Sequence, residues 1–387
     1  MSLLRRFTPR GRRTLVAVTL AAAVVGGTGG WAAGSTQEAV TGPAPGAAAW
    51  RADHSLGQRL PDPAAATPAD VARFFASLTE AQRQELTARH PLTVGNLDGA
   101  PVALRYRANA LALKAERDRQ TARATDPAGT LQDHREARRL ADRYAELLRP
   151  GRQILAFDPR GRGQVAEVFG DLAAERTSVF VPGSDIDLSS SDRERDPYGT
   201  PSGMAKSLRA RMAAQAPGVR TAAIAWTGYT TPVGLGPDAA TGRLAEAGAP
   251  RLARFLDGLA AVGVRAPALL CHSYGTVVCA QAVPLVEPGR IADLIVFGSP
   301  GMRTDSVAAL RTTARVWAAR DASDWIGNVP HVEFLGLGHG TDPTDPEFGA
   351  RRVPARTAEG HTGYLAPGTD SLRNFADIAL GRYGQVR

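Results

Sequence analysis

From Thr67 onward apolar side chains recur every three or four positions, as in Val71, Phe74, Phe75 and Leu78, which is the spacing of one buried helix face. Thr67-Pro68 supplies an N-cap followed by Pro at the first helical position, and Thr79 to Gln82 forms a capping box for a second helix. Val102 to Lys114 and Leu131 to Leu148 carry the same period, so residues 67–149 are expected to be a helical N-terminal region. Residues 35–66 show no sustained period and read as an Ala-, Gly- and Pro-rich linker. After Pro150-Gly151 the pattern changes to short β-rich runs. Ile154 to Phe157 and Gln164 to Phe169 flank a turn and predict an antiparallel hairpin. Apolar strands follow at Thr177–Val181, Arg220–Trp226, Pro267–Cys271, Asp293–Phe297, Ala314–Ala318 and Val332–Leu335. Helical stretches separate them from Thr200, from Asp238, over Tyr274–Val286 and from Thr304, and a last helix runs from Thr369 to Leu380. Such alternation implies an α/β domain over residues 150–387, a mostly parallel twisted sheet with helices on both faces.

Composition and charge change this picture only at the N-terminus. The chain has 387 residues, 43% hydrophobic and 22% charged, with 41 Gly and 27 Pro, which excludes collagen-like and wholly disordered chains. Its net charge of +8 suggests a polyanion partner until it is located, because five of the excess charges are Arg5, Arg6, Arg10, Arg12 and Arg13. No nucleic-acid partner is therefore expected. Those arginines precede Thr14 to Ala33, a 20-residue stretch without a charge. Residues 1–34 thus have the layout of a signal peptide or an N-terminal membrane anchor, and the chain is expected to be secreted or held at the cell envelope. Arg12-Arg13 also suits twin-arginine export. The two cysteines, Cys271 and Cys279, lie eight residues apart on a strand end and the next helix, where a bridge is geometrically doubtful, so two buried thiols are expected.

The chemistry concentrates where strand Ala268-Leu269-Leu270 runs into Cys271-His272-Ser273-Tyr274-Gly275 and then into a helix. A serine on a tight strand-to-helix turn exposes its hydroxyl, and small residues two places either side let the two backbones approach. Gly275 meets that demand, while Cys271 stands where Gly is usual. These residues, with Val181-Pro182-Gly183 upstream and Gly360-His361-Thr362-Gly363-Tyr364 before the last helix, resemble the α/β-hydrolase superfamily. Gly95-Asn96-Leu97-Asp98-Gly99-Ala100-Pro101 and Arg107-Ala108-Asn109 are similar to stretches of an actinobacterial branch long catalogued as an alpha/beta hydrolase domain of unknown function.

The resemblance implies the α/β-hydrolase fold and a Ser-acid-His order along the chain. It places Ser273 as nucleophile, Asp324 as the acid with Asp321 as the alternative, and His361 as the base, with His339 beside Asp342 and Asp345 as the rival. The backbone N–H groups of Tyr274 and of Ser184 or Asp185 would form the oxyanion hole. Asp185 and Asp187 are expected to face solvent or arginines. The short loop from Gly298 to Thr304 leaves no room for a large cap, so access is expected to fall to the 67–149 helices or the Gly336–Gly360 loop, unless those helices only cover a sheet edge. The function expected is an exported carboxylic-ester hydrolase, needing a small-molecule ester substrate and neither cofactor nor metal. Its rivals are a catalytically idle scaffold used as an envelope binding module, and an acyltransferase.

Overall fold

The structure is a computed structural model that describes residues 36–333 and 335–387. The charged and apolar stretch read as a signal or anchor lies outside the described residues. Among those described, no helix is long and apolar enough to cross a membrane.

Eight strands form one sheet in the order β1-β2-β4-β3-β5-β6-β7-β8. They are β1 Gln153–Asp158, β2 Gln164–Phe169, β3 Arg176–Val181, β4 Thr221–Thr227, β5 Ala268–His272, β6 Asp293–Phe297, β7 Arg315–Ala319 and β8 Arg351–Arg352. The β1–β2 hairpin and the β2–β4 pair are antiparallel, and every later pair is parallel. Parallel strands need crossovers, and the crossover helices cover both faces. Helices Arg243–Ala261 and Gly275–Ala282 pack on one face, and Pro201–Gln215 and Asp370–Ala379 on the other. Successive side chains of β5 therefore enter different cores: Leu269 and Cys271 join Leu252, Leu256 and Val277, while Ala268 and Leu270 join Leu208, Phe297 and Phe375. Burial on both sides explains why these strands read as unbroken apolar runs, each large side chain contributing about 1.5–3 kcal/mol.

The N-terminal region forms five helices, α2 Pro68–Ser77, α3 Glu80–Arg89, α4 Pro91–Asn96, α5 Val102–Arg123 and α6 Leu131–Leu147, after a short α1 Ala47–Arg51. Capping boxes start α2, α3 and α6. Helices α4 and α5 lie on the outer edge of β1 and complete its unpaired backbone with side chains. Asn96 both accepts from the Phe157 N–H and donates to its carbonyl, Arg105 Nε donates to Leu155 O, and Asn109 donates to Ile154 O. A buried Arg105–Asp98 pair at 2.9 Å holds this arrangement, so these residues of the Gly95–Pro101 stretch and α5 close an edge.

Three expectations give way. Residues 36–66 are a strap fastened to the body and not a free linker: Trp50 is fully buried, the Val40 N–H donates to Thr230, and Arg160 and Arg251 donate to the carbonyls of Thr41 and Gly42. Small residues let it lie flat, and apart from the single turn of α1 it has no regular structure, which is why it shows no period although it is packed. Of the run expected as a strand at Val332–Leu335, the described residues Val332, Glu333 and Leu335 are in none. Val332 and Leu335 are 46% and 87% exposed, Leu335 has φ +51°, and the open edge of β7 is taken by Arg351–Arg352. Finally, Cys271 and Cys279 form a disulfide with their Cα atoms 6.5 Å apart. The sharp turn folds Gly275–Ala282 back along β5, which brings its second turn beside the strand end and inside bridging range.

Candidate active site

Ser273 sits between β5 and the helix that begins at Gly275, with φ +54°, a region costly for any residue with a side chain. Its N–H donates to Phe297 O at the end of β6, and its carbonyl accepts from Thr276. Gly275 is required here, because a Cβ would lie 2.5 Å from Val181 O and 2.6 Å from Pro182 O. On the other side a Cβ on Gly183 would come within 2.6 Å of Ser273 Cβ, so the loop after β3 reaches the serine only because that residue is glycine. Where a glycine is usual two residues earlier, the Cys271 side chain points at the helix and is bonded to it through Cys279.

Three loops converge on the serine. Ser273 Oγ lies 2.9 Å from His361 Nε2, and His361 Nδ1 lies 2.9 and 3.1 Å from the two carboxylate oxygens of Asp324. Asp324 follows β7 and caps the short turn Trp325–Asn328, accepting from the Ile326 N–H. Burial opposes its charge, but the hydrogen bond and charge of His361, the Tyr364 hydroxyl and the Ile326 N–H outweigh it and hold the carboxyl below its ordinary range. Asp321 acts elsewhere: it accepts from Ser323 and from the Gly360 N–H, and so ties down the residue before His361.

His339 and His272 are engaged away from the serine hydroxyl. His339 Nε2 donates to Ala239 O while its ring edge packs on Tyr274. Its neighbours Asp342 and Asp345 pair with Arg320 and cap the turn at Glu347. His272 is buried against Phe297 and donates to the carbonyl of His361, which sets the height of that loop. Burial, reinforced by repulsion from His361, drives its pKa down to about 3, so it remains neutral.

The N–H groups of Tyr274 and Ser184 donate to no protein acceptor among the described residues, whereas that of Asp185 is taken by Pro232 O. Asp185 accepts from the Gly234 N–H, and Asp187 pairs with Arg162. Neither carboxylate opposes negative charge at Ser273 directly. Two contacts escape sequence reasoning. Tyr364 donates to Asp324 at 2.6 Å and accepts from the Asp321 N–H, gripping both acids. Trp325 lies with its ring 4.7 Å from that of His361 and is 40% exposed. The spacing of His361 and Tyr364 was the only signal available for the former, and nothing in a single sequence marked the latter.

The strand order, with its antiparallel second strand and the strand-turn-helix at Ser273, defines the α/β-hydrolase fold. Within it, residues 158–334 match the model of an alpha/beta hydrolase family. An uncharacterized protein of Mycobacterium tuberculosis is 31% identical over 385 residues, a match that takes in 84% of this chain and 57% of the relative. The chain thus spans little more than half the length of the curated relatives it matches. Solved structures are more distant. A Rhodococcus esterase is 12% identical over 58% of this chain and 96% of its own, with a TM-score of 0.31. A dienelactone hydrolase from Anabaena variabilis is 16% identical over 58% and 92%, with a TM-score of 0.36.

Proposed function

We propose that the protein is a serine hydrolase that cleaves carboxylic esters through an acyl-enzyme on Ser273. The observation that carries this reading is the continuous path from Ser273 Oγ through His361 to Asp324, with contacts of 2.9 Å at both ends. An isolated serine hydroxyl is a poor nucleophile, and an imidazole in line with it removes the proton as attack proceeds.

In the first step Ser273 Oγ bonds to the ester carbonyl carbon while its proton passes to His361 Nε2. The carbonyl electron pair moves onto oxygen, which the Tyr274 and Ser184 N–H groups would receive. Collapse of that intermediate breaks the bond to the leaving alcohol, which takes the proton from His361. Water, deprotonated by the same imidazole, then releases the acid and restores Ser273. Asp324 holds His361 in the tautomer with hydrogen on Nδ1 and stabilises the imidazolium. Trp325 provides an apolar wall beside the base. The arginine-led apolar stretch at the N-terminus supports export as part of this reading.

Labelling the purified full-length chain with a fluorophosphonate tests the proposal. The expected result is one adduct per chain, absent in Ser273→Ala. A folded wild-type protein that takes no label overturns the enzyme reading in favour of an idle scaffold. Product analysis with added alcohol separates hydrolysis from acyl transfer, since a transferase returns mostly the new ester.

A further inference from the structure

A cavity of about 250 Å³ lies beneath the strap, away from Ser273. Gly42, Ala44 and Pro63 of the strap form one side, and Phe157, Val165, Trp226 and Phe255 give it apolar walls. Its charged groups do not cancel. Asp98 is hydrogen-bonded by Arg105 and Asp158 by Arg160, which leaves two further guanidinium groups on the lining, Arg251 and Arg254. Arg251 donates to three neutral acceptors, Gly228 O, Gly42 O and Gln164 Oε1, and lies 3.7 Å from Asp158. Arg254 makes a single hydrogen bond among the described residues, to Ala66 O, and its closest carboxylate, Asp98, is 4.0 Å away.

Two polar atoms on the same lining add a second observation. Gln164 Nε2 and Thr93 Oγ1 are buried and have no hydrogen-bond partner among the described residues, although Gln164 and Thr93 are each only 4% exposed. A buried amide N–H without an acceptor is costly, and a half-buried guanidinium held mainly by neutral acceptors lacks a close counter-charge. Burial also pulls the Arg251 pKa below its ordinary value, with Asp158 only partly opposing it. A bound anion would supply the counter-charge that Arg251 and Arg254 lack, and the aromatic walls would take an apolar body.

We propose that this cavity binds a small amphipathic carboxylate, with its headgroup on Arg251 and Arg254 and its apolar body against Trp226 and Phe255. The size follows by proportion. A dry cavity of ~150 Å³ takes a benzene ring, so this one takes on the order of ten non-hydrogen atoms, as in octanoate. The site does not depend on the reactivity of Ser273.

Calorimetric titration of the full-length chain with octanoate tests the proposal. Saturable binding of one octanoate per chain is expected, at least about tenfold tighter than octanol, because only the carboxylate makes charge-assisted hydrogen bonds. Arg254→Met should weaken binding about tenfold or more, and Ala44→Leu, which fills the cavity from the strap, should do the same without removing charge. Ser273→Ala should bind as the wild type does. Equal affinity for octanol, unchanged binding in both Arg254→Met and Ala44→Leu, absence of saturable binding, or loss of binding in Ser273→Ala would each overturn it. The last outcome would place octanoate at the serine instead.

Discussion

The outer edge of β1 and the rim above β5, β6 and β7 both bury polar side chains, but they use them in opposite ways. At the edge, Asn96, Arg105 and Asn109 spend their hydrogen bonds on backbone groups of β1 and α4, which a neighbouring strand would otherwise satisfy. At the rim, Asp321, His272 and Tyr364 hold the loops, and the groups they position keep reactive atoms directed at one point. The first arrangement consumes polarity to close a surface. The second leaves Ser273 Oγ and two backbone N–H groups available in a structured setting.

The largest expected effect breaks the rim. His361→Ala should reduce esterase turnover on the order of 10³-fold or more, whereas His339→Ala, whose imidazole is tied to Ala239 O, should stay within a few fold. Steady-state rates on p-nitrophenyl esters check this, and equal losses would remove His361 from its assigned role. Next comes the edge. Arg105→Met deprives Asp98 and Leu155 O of their donor and Gly95 O of one of its two, so denaturant unfolding should show a loss of about 3 kcal/mol. Fluorophosphonate labelling of the folded fraction should stay within about twofold of wild type. A variant that unfolds normally but no longer labels would show the two regions to be one.

A smaller effect is set by acid. Burial lowers His272 to about 3 and His339 to about 4 from an ordinary 6.5, so between those values the unfolded chain binds protons that the folded protein does not. Their contribution is complete above about pH 6.5 and is lost as the pH falls through the folded values. Between about pH 7 and pH 5 this amounts to on the order of 2 kcal/mol per histidine. The thermal midpoint should therefore fall on acidification, and less steeply in His272→Gln and His339→Gln. An unchanged slope in both variants contradicts the assignment. The smallest effect refines the rim: Tyr364→Phe removes the hydrogen bond to Asp324 and should lower kcat about tenfold with KM nearly constant.

The sequence by itself determined the elements whose signals are local. Capping threonines, Pro at the first helical position, the change from helical to strand spacing at Pro150-Gly151, and the serine on its strand-to-helix turn all depend on neighbours within a few residues. The order of Ser273, Asp324 and His361 came from resemblance, and the convergence of those residues from the fold. Tertiary structure alone decided matters that depend on distant partners. The Cys271–Cys279 bridge required the helix to fold back on β5, and the edge of β7 went to Arg351–Arg352 although Val332–Leu335 is more apolar. Residues 36–66 look like a linker because their composition carries no period, yet Trp50 finds a closed pocket and Arg160 and Arg251 reach their carbonyls from residues more than a hundred positions away. Local propensity is written in adjacent residues, whereas a hydrogen bond or an apolar contact rewards whichever partner the completed fold brings near.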